Sequence, residues 1–86
     1  MSVTRIVRQA EIAVLTPHSM DQVKAGADQI KTGNPLIINF GSLNQEERLW
    51  AMHFLNGVVY AVDGQSLELS SRAFLFTPYN VMVSKE

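Results

Sequence analysis

Four residues near the middle of the chain constrain its fold most: Thr32-Gly33-Asn34-Pro35. Glycine suits the left-handed backbone that closes a helix, and proline cannot continue one. The segment before them is therefore predicted to stop, and the segment after them to start afresh. The later segment opens with Leu36-Ile37-Ile38-Asn39-Phe40, uncharged and β-branched, which predicts a buried strand. The earlier segment carries Met20, Val23, Ala27 and Ile30 at spacings of three and four, one apolar stripe of a helix. Gln22, Lys24, Asp28, Gln29 and Lys31 fall outside that stripe. Ser19 and Asp21 both qualify as its N-terminal cap, and Gly26 weakens it by up to ~1 kcal/mol relative to alanine. Nearer the N-terminus, Ile12-Ala13-Val14-Leu15 predicts a short buried strand, closed by Thr16-Pro17.

The second half repeats the alternation. After the turn at Gly41-Ser42, Asn44 with Glu47 three residues on has the form of a capping box. Glu46 and Glu47 also suit the positive end of a helix dipole. The helix is predicted to run through Leu49, Trp50, Ala51, Met52, Phe54 and Leu55 and to end at Asn56-Gly57. Val58 to Val62 then predicts a third strand, Asp63-Gly64 a hairpin turn, Leu67-Glu68-Leu69 a half-buried strand, and Ser70-Ser71 a second turn. Ala73 to Thr77 predicts a further strand ended by Pro78, and Val81-Met82-Val83 a short last one. The order β-α-β-α-β-β-β predicts an α/β fold, a single sheet of about five strands. Right-handed crossovers place both helices on one face. The other face must then be covered by something else or stay partly polar.

Composition narrows the function classes. At 86 residues the chain is one domain, and a domain this small buries only about 60% of the surface its unfolded chain exposes. Residues 1–10 are expected to be an extended arm or an exogenous remnant, and 11–86 the globular domain. Without cysteine there is no disulfide framework or thiolate metal site. A net charge of -1 offers nothing to a polyanion, so nucleic acid is not an expected partner. His18 and His53 are the only histidines and form no metal-binding pair. Glu46 and Glu47 are adjacent, so they diverge by about 100° on a helix and do not converge on a substrate. Asp63 reads as a turn residue, and no phosphate-binding glycine loop is present. No enzyme activity, metal or cofactor is expected.

The second helix is the informative element. Ala51, Phe54 and Leu55 suffice for one stripe against a sheet, which leaves Leu49, Trp50 and Met52 surplus. Either the core stripe is wide, with Trp50 at its rim, or this helix has a second apolar face for another subunit, a setting in which tryptophan is enriched. Gly57 extends that face one turn beyond His53. It serves as a helix cap, as a point where a second backbone approaches, or as both. Phe74 and Phe76 lie on one face of their strand and Leu75 on the other. That suits a strand covered on both sides, or one whose aromatics form a groove for an apolar peptide. Tyr60 and Tyr79 fit either role.

Two longer motifs resemble the SepF family of cell-division proteins. Phe54-Leu55-Asn56-Gly57-Val58-Val59-Tyr60-Ala61-Val62-Asp63-Gly64 is similar to that family's Phe-Leu-Ser-Gly-Thr-Val-Tyr-Ala run before a glycine turn. Phe74-Leu75-Phe76-Thr77-Pro78-Tyr79-Asn80-Val81 resembles its closing Ile-Phe-Leu-Phe-Thr-Pro-x-Asn-Val. Pro17 with Ser19, and the strand Leu36 to Phe40, also have counterparts. The resemblance covers roughly residues 11 to 84. It implies a non-enzymatic scaffold that forms a homodimer and higher-order polymers and binds the C-terminal tail of FtsZ at the cytoplasmic division site. Full-length members reach the membrane through an N-terminal helix that this chain does not contain, so it reads as a piece of a longer protein. The implied self-assembly residues are Leu49, Trp50, His53, Phe54 and Gly57. The implied tail-binding residues are Val58, Tyr60, Val62, Phe74 and Phe76. Leu49, Trp50 and His53 stand where relatives carry arginine, other polar residues or aspartate, so the second helix is more apolar here. A dimeric small-ligand-binding regulatory domain is the alternative reading.

Overall fold

The structure, a computed structural model, describes residues 11–79. Its elements are β1 (Ala13–Leu15), α1 (Met20–Lys31), β2 (Leu36–Asn39), a 3-10 turn (Phe40–Ser42), α2 (Gln45–Ala61), β3 (Gln65–Glu68) and β4 (Ala73–Thr77). Among the described residues the sheet has four strands in the order β1-β2-β4-β3. β1 runs parallel to β2, and the other two pairings are antiparallel.

The helix starts reflect the local chemistry of the sequence. The Ser19 hydroxyl accepts from the Gln22 amide and caps α1. Asn44 and Glu47 complete a reciprocal capping box at α2, each side chain accepting from the other's backbone amide at 2.8 and 3.0 Å. Both helices end in the same two-bond motif. At α1 the Asn34 amide reaches the Gln29 carbonyl and the Gly33 amide the Ile30 carbonyl, with Gly33 at φ 101°. At α2 the Gly64 amide reaches the Val59 carbonyl and the Asp63 amide the Tyr60 carbonyl, with Asp63 at φ 57°. Aspartate is one of the few residues with a side chain that enters this left-handed region readily.

Directly opposed residues in a sheet share a face. Leu36 pairs with Phe76 and Ile38 with Phe74, and these face the helices. Val23, Ala27 and Ile30 of α1 and Ala51, Leu55 and Val59 of α2 join Leu36, Ile38, Phe40 and Phe76 in one core. Both helices therefore lie on one face, as the crossover argument predicts. Gly26 permits the close seating of α1, since a Cβ there would stand 3.0 Å from Leu15 and 3.1 Å from Leu36. The register draws a row across the opposite face through Val14, Ile37, Leu75 and Leu67. That row is wholly apolar, and Val14 is 73% exposed.

Two sequence expectations are corrected. Val58 to Val62 do not form a strand: α2 continues through Asn56 and Gly57 to Ala61. Leu55, Val59 and Val62 fall at helical spacing on the side that already carries Ala51, and burying Val59 outweighs the strand preference of valine and tyrosine. Asp63-Gly64 is accordingly the cap of α2, and the hairpin is β3–β4, turning at residues 69–72. Phe40 belongs to the 3-10 turn rather than to β2, and is fully buried there. The expected last strand, Val81 to Val83, and the N-terminal arm lie outside the described residues.

Candidate interaction site

From Leu49 to Val62 the chain carries no Asp, Glu, Lys or Arg over fourteen consecutive positions. A helix exposed on one side ordinarily places its charges there, as α1 does with Asp21, Lys24, Asp28 and Lys31. At 100° per residue, Ala51, Leu55 and Val59 mark the buried side of α2. His53 and Gly57 then sit at the centre of the outward side. Leu49 and Tyr60 flank them on one edge, Trp50, Phe54 and Ala61 on the other.

Solvent exposure agrees with this placement. Leu49 is 59% exposed, Trp50 45% and Tyr60 85%. Trp50 stacks on Phe54 with ring centroids 5.1 Å apart and planes 14° from parallel, so the exposed indole rests on a half-buried ring that itself packs against the core. A Cβ at Gly57 would meet nothing within 4 Å, so the outward side has a gap at its centre. The self-assembly set drawn from the sequence resemblance (Leu49, Trp50, His53, Phe54 and Gly57) thus falls on one surface. Tyr60 joins it. Sequence reasoning gave Tyr60 to a strand, and the missed signal is its position three residues beyond Gly57 and seven beyond His53.

The tail-binding set fares differently. As a strand, Val58, Tyr60 and Val62 would line one face. As a helix, Val58 and Val62 turn toward the core while Tyr60 points away, and the three make no common surface. Phe76 is 0% exposed and lies in the core, so it is not a contact residue for a peptide in this structure. Phe74 is half-buried between Phe40 and Phe76, at centroid distances of 5.7 and 6.3 Å. β4 lies between β2 and β3 and is covered by the helices on the Phe76 face, while Leu75 on its other face is half-buried, so it is neither a strand covered on both sides nor one that presents Phe76 to a groove.

An open hollow of about 490 Å³ lies beside the first turns of α2, lined by Leu43, Gln45, Arg48 and Leu49. The Arg48 guanidinium donates to the Ser71 carbonyl and ties α2 to the β3–β4 turn. No sequence signal singled out this hollow. Thr77 is the one buried polar residue among the described ones, and its hydroxyl donates to the Gln65 carbonyl. Among the described residues no group of three or more His, Cys, Asp or Glu could hold a metal ion. None of the described helices is long and apolar enough to cross a membrane.

Comparison with known proteins places this geometry. Residues 12–83 match the family model described as Cell division protein SepF. A Cell division protein SepF from Syntrophomonas wolfei is 34% identical over 76 residues, covering 88% of this chain and 54% of the relative. One from Halalkalibacterium halodurans is 33% identical over 84 residues, covering 98% and 56%. The chain spans about half the length of these relatives. Among solved structures, Cell division protein SepF from Methanobrevibacter smithii in complex with FtsZ-CTD superposes with a TM-score of 0.77 at 19% identity, covering 87% of this chain and 98% of that one. The SepF-like protein from Pyrococcus furiosus gives 0.74 at 17% identity, covering 93% and 100%. Those two likenesses speak to the fold; the family model, matched over most of the chain, speaks to descent. The chain belongs to the SepF family of cell-division proteins.

Proposed function

We propose that this domain is a non-enzymatic division scaffold that associates with copies of itself through the outward side of α2 and binds the C-terminal tail of FtsZ. The observation that carries the self-association is the uncharged surface of the exposed Leu49, Trp50, Gly57 and Tyr60, with the half-buried Phe54 at its edge. A large aromatic side chain contributes about 150–250 Å² when buried. The exposed parts of Leu49, Trp50 and Tyr60 therefore supply close to half of the roughly 800 Å² per partner that a stable interface uses. His53 at the centre and Asn56 and Ala61 at the edges, all exposed, extend that surface. FtsZ enters as partner because the solved SepF from Methanobrevibacter smithii, which shares this fold, was obtained with the FtsZ-CTD. The apolar hollow between Leu43 and Leu49, with Arg48 at its side, is the recess offered to an apolar tail residue. Weak single contacts repeated over an assembly would hold polymerised FtsZ better than monomers, through effective concentration. In a full-length protein anchored at the membrane, such an assembly would tether FtsZ there.

Calorimetric titration with an FtsZ C-terminal peptide tests the partner, and sedimentation of Trp50→Glu tests the surface. Heat of binding at micromolar to millimolar peptide is expected, together with a monomeric Trp50→Glu that still binds the peptide in solution. A folded sample that binds no peptide at millimolar concentration sinks the scaffold reading. A Trp50→Glu that associates like the parent chain assigns the tryptophan to some other role.

A further inference from the structure

We infer that Asn56 is a site of spontaneous, irreversible deamidation that α2 holds inert and that opening of the helix end releases. Asn56-Gly57 is the one place in the chain where asparagine precedes glycine. Glycine has no side chain, so its backbone approaches a neighbouring group more closely than that of other residues. In such a pair the Gly57 nitrogen attacks the Asn56 side-chain carbon Cγ. A C–N bond forms and closes a succinimide ring, the Gly57 nitrogen gives up its proton, and the side-chain nitrogen leaves as ammonia. Water then opens the ring at either carbonyl. One opening yields aspartate. The other yields isoaspartate, whose main chain runs through the side-chain carbons and is longer by a methylene. Water is the only co-reactant. The chemistry of the pair is independent of whether copies associate through α2.

The guard is the helix itself. Asn56 and Gly57 are both exposed, and a Cβ at Gly57 would meet nothing within 4 Å, so no neighbouring element covers the attacking nitrogen. α2 nevertheless runs through the pair to Ala61. Helical hydrogen bonding commits the Gly57 amide to the His53 carbonyl. Ring closure needs Cβ and the Gly57 nitrogen nearly eclipsed about the Asn56 Cα–C bond, whereas helical ψ, about -42°, holds them well apart. Opening the helix from its C-terminal end undoes the cap, in which Gly64 reaches Val59 and Asp63 reaches Tyr60. It also withdraws Val59, only 5% exposed, from the core. Losing the burial of one valine corresponds by itself to a factor of roughly ten to a hundred in the open population. Asn39 and Asn44 differ on both counts: they precede Phe40 and Gln45, and their side-chain oxygens accept from the Gly41 and Glu47 amides. Once formed, isoaspartate breaks the helical ladder where it stands. An opening of α2 that was reversible then becomes permanent.

Peptide mapping by mass spectrometry reads the conversion. The 86-residue chain is aged in mildly alkaline buffer, with and without concentrated urea. All samples are dilute, so burial of the pair by a second copy does not enter. In urea Asn56 should be the fastest-converting asparagine, and Gly57→Ala, which sets a methyl beside the attacking nitrogen, should slow it. In the folded chain Asn56 should convert at least about tenfold more slowly than in urea. Folded chains isolated after conversion to isoaspartate should melt lower than unconverted ones and show less helical circular dichroism. A folded chain that converts within about twofold of the urea sample overturns the inference, since the pair would then be open much of the time. So does a urea sample in which another asparagine converts faster, or in which Gly57→Ala converts as fast as the parent. An isoaspartyl chain that melts like the unconverted one refutes the permanence of the opening.

Discussion

Replacing Gly57 by alanine separates the continuous helix from the strand that the sequence pattern suggests, because the sign of the effect differs. In the structure Gly57 lies four residues inside the end of α2, its φ is not positive, and a Cβ would meet nothing within 4 Å. An exposed glycine inside a helix costs up to about 1 kcal/mol relative to alanine. Part of that arises in the unfolded chain, which alanine restricts. Gly57→Ala should therefore stabilise the monomer by about 0.5–1 kcal/mol, or roughly 2–8 °C in Tm for a domain of this size. Had the helix stopped at Asn56 with Gly57 in the left-handed cap position, alanine would cost a similar amount instead. The assay is thermal unfolding monitored by far-UV circular dichroism, at a concentration low enough for the monomer to dominate. A melting temperature that falls on substitution refutes an α2 that runs through Gly57. The same variant should associate less well than the parent chain at high concentration, because the methyl occupies the gap.

Three further outcomes rest on particular contacts. Gly64→Ala would place its Cβ 1.9 Å from the Thr77 carbonyl oxygen, a backbone atom that no rotamer change can move; a loss of about 3 kcal/mol in urea unfolding is expected, and a loss under about 1 kcal/mol would show that the cap and β4 are not in contact. Asn44→Ala removes the side-chain half of the capping box and should cost about 1 kcal/mol by the same measurement, with Asn44→Asp close to neutral. Phe76→Ala empties a fully buried position and should cost about 3–5 kcal/mol; retained stability would place Phe76 at the surface and return it to the peptide groove.

Much of the fold could be read where local chemistry and tertiary packing agree. Thr32-Gly33-Asn34-Pro35 ends α1 as predicted, Ser19 and Asn44 cap their helices, and Leu36 with Ile38 is a buried strand face. The reading fails at Val58 to Val62, where local and tertiary preferences conflict. Asn-Gly signals an end and β-branched valines favour a strand. Val59 and Val62 nevertheless complete the stripe of Leu55 and Ala51, and the core they close decides the matter. The same conflict explains the candidate site. Trp50, His53 and Gly57 could be found from the sequence because too many apolar residues share a short helix. Tyr60 could not, since a strand sends it elsewhere. Nor could the retreat of Phe76 into the core, because alternation tells which residues share a face but not which face the helices cover.

The end of α2 has a consequence for any assembly built on this domain. Gly64 hydrogen-bonds back to Val59 at 2.6 Å while its bare α-carbon lies against the backbone of Thr77. At the other end Arg48 ties the helix to the β3–β4 turn. α2 is thus fastened to the sheet near both termini, at one of them main chain to main chain, and has little freedom to roll about its axis. A bond between two copies through α2 would fix the relative direction of their sheets as firmly as the bond itself. Curvature in an array of such domains would then be a property of the fold, set before any copy meets another.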